Sequence, residues 1–171
     1  NLLIERQVAG VQVRIIYDSV GTISTPQAFF DALSAAGVEL LAFHPLNPIS
    51  ALSDAEPWSP NQRDHRKLLV VDGLIAFTGG INISNSYSSS SLFRSKHRTP
   101  TTPTTPTTVG WRDTHIQLRG PAVAAIQWVF LDTWMEEKDL SFAQLSMLDF
   151  FPPLSQQGTN LVRVLASGPD D

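Results

Sequence analysis

Val11 to Asp18 (VQVRIIYD) alternates apolar and polar positions and is rich in β-branched residues, a pattern that predicts a strand. Before it, NLLIERQVAG reads as the last turns of a helix closing at Gly10. Thr25 to Ala36 (TPQAFFDALSAA) predicts a helix with Thr25 as N-cap, Pro26 at the first helical position and Gly37 as the stop. Val38 to Phe43 (VELLAF) then predicts a short buried strand. A strand, a helix and a strand at this spacing predict a right-handed parallel crossover in an α/β sheet. His44 to Pro60, with four prolines, predicts a loop. Beyond it, Lys67 to Val71 and Leu74 to Thr78 flank Asp72-Gly73, a two-residue hairpin signal.

From Ser86 to Thr108 the pattern is lost. A serine run leads into a basic cluster (Arg94, Lys96, His97, Arg98) and then TPTTPTTPTT. Such composition cannot bury a core and predicts an extended surface insertion; a mucin-like glycosylated segment is the compositional alternative. Periodicity returns at Trp111 with WRDTHIQLRG, a predicted strand. Pro121 starts a predicted helix running to about Lys138, with Val123, Ile126, Val129, Phe130 and Trp134 at core spacing. The chain closes on NLVRVLASGPDD, a strand-like run that stops at a turn. Both ends read as cuts, so the expectation is a piece of a longer protein. No internal repeat is visible.

Composition narrows the class. A length of 171 residues suffices for one well-cored domain, and 42% hydrophobic with 16% charged residues fits a folded protein. A net charge of −4 argues against a broad basic surface for duplex nucleic acid, while leaving room for a small cationic site. The absence of cysteine excludes disulfides and thiolate metal sites. No apolar run approaches the roughly 20 residues needed to span a bilayer, and no signal-peptide pattern is present. A membrane anchor, if the parent protein has one, is expected outside this stretch.

The chemistry concentrates in NQRDHRKLLVVDGLIAFTGGINIS, Asn61 to Ser84. Residues two apart in a strand share a face, so a strand starting near Asp64 would project His65 and Lys67 together. An imidazole beside an ammonium suits an anionic electrophile: the lysine holds a phosphate oxygen while the histidine attacks phosphorus and carries a covalent intermediate. Gly79-Gly80 lets the backbone approach a ligand closely, and Asn82 offers an amide donor to the same phosphate. A hairpin with exposed charges would account for His65 or Lys67 alone. The joint pattern is harder to dismiss: His-x-Lys, four residues, Asp72, six residues, Gly-Gly-x-Asn. Six positions at a few per cent each give a chance match rarer than about one in ten million per start.

This stretch resembles the HKD motif of the phospholipase D superfamily. HRKLLVVDGLIAFTGGINIS followed by WRDTHIQLRGPAV is similar to bacterial cardiolipin synthases and related phosphatidyltransferases, from Val11 to the final GPDD. The resemblance implies a phospholipase D-like α/β/α sandwich, a mixed β-sheet flanked by helices, forming one half of a pseudo-two-fold enzyme. It also implies metal-independent exchange at a phosphodiester through a phosphohistidine, with no cofactor and no metal. His65 would be the nucleophile, Lys67 and Asn82 the phosphate ligands, and Asp72 the acidic member of the motif, either structural or directly catalytic. On WRDTHIQLRG, Trp111, Asp113, His115 and Gln117 share one face, opposite Ile116 and Leu118. Family members place here a carboxylate that orients the nucleophilic histidine, and Asp113 fits that role. His115 either lines the site or stands by. Asp18, at the end of the first strand, is read as a turn or cap residue.

Members of the superfamily build one site from two such motifs, the second histidine serving as general acid and base. Here the motif occurs once, and His44, His97 and His115 lack its context. Either residues 1–160 are the first catalytic half, with the insertion at 86–108 and a second half starting at 161–171, or two copies assemble about a two-fold axis. The first reading makes the chain the N-terminal part of a phosphatidyltransferase with little turnover alone. Its substrate would be a phosphatidylglycerol-like phospholipid, and its setting a bacterial membrane, held peripherally or through an anchor elsewhere. The alternatives are a homodimeric nuclease or phosphodiesterase, and a non-catalytic module binding phosphate or an anionic membrane.

Overall fold

The alternating run near the N-terminus becomes β1, Arg14–Asp18, and the second apolar run becomes β2, Glu39–Phe43. The computed structural model describes residues 2–43, 64–83, 113–146 and 149–166. The insertion expected at 86–108, the loop expected at 44–60, and Trp111 lie outside the described residues. The Cα trace divides into two compact units, each with its own core. The first comprises Asn1–His65, Trp128–Asp149 and Leu165–Asp171; the second comprises Arg66–Gln127 and Phe150–Val164.

In the first unit, β1 and β2 pair in parallel, as the strand–helix–strand spacing predicts, with Arg14 opposite Glu39 and Asp18 opposite Phe43. Arg14 Nη2 meets Glu39 Oε1 at 2.9 Å across that first pair. With Glu39 half exposed, the pair is worth at most about 1 kcal/mol. The connection carries α2, Gln27–Ala35, whose Phe30 and Leu33 are buried together with Val38 and Leu41. Tyr17 of β1 stacks on Phe30 with ring centroids 4.5 Å apart. Gly37 ends the helix as expected: at φ +89° it brings Val38 N–H to Leu33 O and its own N–H to Ser34 O, a Schellman closure. The start differs from expectation. Pro26, which has no side-chain acceptor, occupies the cap position instead of Thr25, so no side chain caps the helix. α1, Leu2–Val8, precedes β1 and closes near Gly10, which lies at φ +94°.

In the second unit, β3 (Leu68–Val71), β4 (Ile75–Gly79) and β5 (His115–Arg119) form an antiparallel sheet in that order. Ala76, fully buried on the middle strand, lies beside Val70 on one side and Leu118 on the other. Val123 and Ile126 of α3, Ala122–Lys138, complete this core, with Leu68, Leu154 and Val164 packed against it. Gln127 on the same helix donates to Phe150 O, tying the later segment to the unit. α3 begins after Pro121 as its sequence predicts; its later residues Leu131 and Trp134 are buried within the first unit, as is Leu145 of α4, Phe142–Ser146.

Three expectations are corrected here. The hairpin strand begins at Leu68, not near Asp64, so His65 and Lys67 stand on its lead-in. The Asp72-Gly73 turn forms, with both residues at positive φ and Leu74 N–H bonded to Val71 O. However, the ladder resumes with Val71 opposite Ile75, leaving Leu74 as an extra residue. That slip sets small Ala76 against α3, and in a strand one residue of slip exchanges the faces. Residues 160–166 form no strand among the described residues; Val164 packs on the hydrophobic core instead. The chain is mixed α/β, with parallel and antiparallel sheets and flanking helices.

Candidate active site

Because Leu68, Val70, Ala76 and Leu118 face the core, strand alternation turns Leu69, Phe77, Gly79, His115 and Gln117 to the other face of the sheet. Gly79 pairs with His115 across β4 and β5. The last pair of the hairpin is Leu68 with Thr78, and Lys67 precedes it on the lead-in to β3. One end of the sheet therefore brings Gly79 and His115 together.

The two glycines are shaped around β5. Gly80 N–H donates to Thr114 O at 2.9 Å, which closes the strand end. A Cβ on Gly79 would strike Thr114 O and stand 2.6 Å from His115 Cα and 2.9 Å from His115 Nδ1. A Cβ on Gly80 would strike Asp113 Oδ1 and stand 2.8 Å from its Cγ. Asp113, half-buried, thus lies directly over Gly80, and His115 directly over Gly79. His115 Nδ1 is buried and finds no hydrogen-bond partner among the described residues. A proton on that nitrogen would be an orphaned buried donor, so this seat favours the tautomer that carries its proton on Nε2.

The remaining sequence-predicted residues fall elsewhere. His65 is exposed and is the last residue of the first unit's opening segment; Lys67 is half-buried. Asn82 is exposed two residues beyond Gly80. Asp72 sits in the hairpin turn at φ +54°, with β3 between it and Lys67, roughly 17 Å at the rise of an extended chain. The turn is also a docking point: a Cβ on Gly73 would stand 2.6 Å from Pro152 Cδ and 2.8 Å from Phe150 O. Asp18 Oδ1 accepts from Val20 N–H at 2.9 Å, the turn role its sequence position predicts. Sequence reasoning missed Thr114, whose carbonyl holds Gly80; only the pairing of strands reveals it. Among the described residues no group of three or more His, Asp or Glu is arranged to hold a metal ion. No described helix is long and apolar enough to cross a membrane.

The chain aligns along nearly its whole length with curated bacterial proteins. It is 33% identical over 172 residues to the cardiolipin synthase of Geobacillus kaustophilus, and 35% identical over 174 residues to that of Geobacillus thermodenitrificans. Each alignment covers 99% of this chain. The chain is a homologue of the bacterial cardiolipin synthases. Cardiolipin synthase 2 of Bacillus cereus is 36% identical over 135 residues, or 78% of the chain. The chain spans about 30% of the length of the two Geobacillus cardiolipin synthases and 22% of the Bacillus cereus one. No family model matches the chain, and no solved structure matches it.

Proposed function

We propose that this chain is the part of a cardiolipin-synthase-like phosphatidyltransferase that carries the nucleophile and the phosphate cradle. His65 attacks the phosphorus of a phosphatidylglycerol-like lipid, forming an N–P bond as the P–O bond to the glycerol headgroup breaks. The phosphatidyl group then passes to the hydroxyl of a second lipid, restoring the free imidazole. Lys67 and Asn82 hold the phosphate oxygens as charge builds on them. Asp113 orients the attacking ring and stabilises it as it gains charge. Asp72 fixes the hairpin turn.

The observation that supports this reading is the meeting of Asp113, His115, Gly79 and Gly80 at one end of the sheet. Homology to cardiolipin synthases supports a phospholipid as the substrate class. Residues 1–160 are read as the first catalytic half and 161–171 as the approach to a second. That second half, or a second copy of the chain, supplies the general acid for the leaving oxygen, so the chain alone turns over slowly. The lipid substrate calls for contact with a bacterial membrane, peripheral or through an anchor elsewhere in the protein.

The test is to present the full-length protein with vesicles containing phosphatidylglycerol and to analyse lipids and released headgroup by mass spectrometry. Cardiolipin with one glycerol released per turnover is the expected result. Phosphatidic acid alone would replace transfer with hydrolysis. Turnover of a nucleic-acid diester with no lipid product would replace the phosphatidyltransferase by a nuclease.

A further inference from the structure

We propose that Gly79 and Gly80 are positioning residues: Gly80 clears the seat of the Asp113 carboxylate and Gly79 the seat of the His115 ring. The glycine pair thereby acts on the site through β5. This inference rests on the reading of Asp113 as the group that orients the nucleophile.

Gly80 needs no special backbone conformation, since only Gly79 of the pair lies at positive φ, at +152°. What forbids a side chain at Gly80 is the carboxylate itself: a Cβ would run into Asp113 Oδ1 and lie 2.8 Å from Cγ, while Asp113 Cβ would be 3.4 Å away. The obstruction comes from the functional end of the aspartate. At Gly79 the obstruction includes the backbone of β5 together with His115 Nδ1. The short strand end is held by Gly80 N–H to Thr114 O, so backbone and carboxylate are fixed from the same residue. A carboxylate that orients an imidazole must stand within hydrogen-bond reach of it, and misplacement by about 1 Å can cost on the order of 10²-fold in rate.

The experiment is a double-mutant cycle in the full-length protein, with Gly80→Ala, Asp113→Ala and the double variant. Each is assayed for kcat and KM with phosphatidylglycerol vesicles and for Tm. The expected result is that Gly80→Ala lowers kcat roughly 10²-fold with KM little changed. In the Asp113→Ala background the same substitution should cost no more than about twofold. The Tm loss from Gly80→Ala should shrink in that background as well, because the obstructing atoms are gone. Equal kcat losses in both backgrounds, or a loss carried by KM, would overturn the positioning role in favour of direct approach of backbone to the lipid phosphate. Equal Tm losses would overturn the seat itself. A wild-type protein with no transfer activity would instead overturn the proposed reaction and the catalytic task with it, while the Tm cycle would still decide whether the seat exists.

Discussion

Gly79 stands opposite His115 across β4 and β5, and the place where its side chain would begin is 2.9 Å from His115 Nδ1. The same carbon would strike Thr114 O, and the glycine holds φ +152°. Gly79→Ala is therefore expected to destabilise the intact protein by about 1–3 kcal/mol, the cost of a residue forced into a sparsely allowed conformation with added steric conflict. Urea unfolding followed by fluorescence measures it. A loss below about 0.5 kcal/mol, the level of an ordinary surface change, would contradict this close packing of β4 on β5.

His115 is expected to carry its proton on Nε2. Its Nδ1 is buried without a partner among the described residues, where an N–H would cost about 1–3 kcal/mol. Nitrogen chemical shifts of the ring in a histidine-labelled sample distinguish the two tautomers. A protonated Nδ1 would mean that an acceptor reaches this nitrogen and that the ring is seated differently.

Asp72 and Gly73 separate a turn role from a catalytic one. Asp72→Asn keeps a residue that tolerates φ +54°, so kcat should stay within about twofold and stability within about 0.5 kcal/mol. Gly73→Ala meets both a positive φ and the segment at Phe150 and Pro152, and should cost about 2 kcal/mol or more. Loss of transfer activity in Asp72→Asn with its stability intact would assign the carboxylate a direct role in the chemistry.

The hairpin register has its own test in Ala76. It is fully buried between Val70 and Leu118 and against Val123 and Ile126. Ala76→Val should overpack this core and cost about 1–3 kcal/mol. A neutral result in chemical denaturation would indicate that Ala76 faces the other side of the sheet, as it would with Leu74 paired to Val71.

The elements that were legible in the sequence are those set by local rules. β1 follows from alternation, and α2 ends where Gly37 adopts the left-handed conformation that closes a helix. The Asp72-Gly73 turn was legible for the same reason, since both positions demand positive φ. The register beyond that turn was not, because Leu74 is set aside by the fit of Ala76 against α3, a contact between distant parts of the chain. The candidate site shows the same division. His65, Lys67, Asn82 and Asp113 stand out by residue type and spacing alone. That Asp113 and His115 sit over Gly80 and Gly79 was out of reach, because the whole Ser/Thr/Pro insertion separates the partners and only β5 pairing on β4 joins them. Thr25 failed as a cap for a different reason: the helix starts one residue later, with Pro26 in the cap position.

In the proposed reaction the imidazole of His65 takes the phosphatidyl group. The most direct measurement is to mix full-length protein with labelled phosphatidylglycerol, quench within the first turnover, digest under alkaline conditions that preserve phosphohistidine, and map the labelled peptide by mass spectrometry. The account predicts an acid-labile adduct on His65, absent in His65→Ala, with one glycerol released per adduct. A lipid product formed at the wild-type rate by His65→Ala, or an adduct found on another residue, would contradict it.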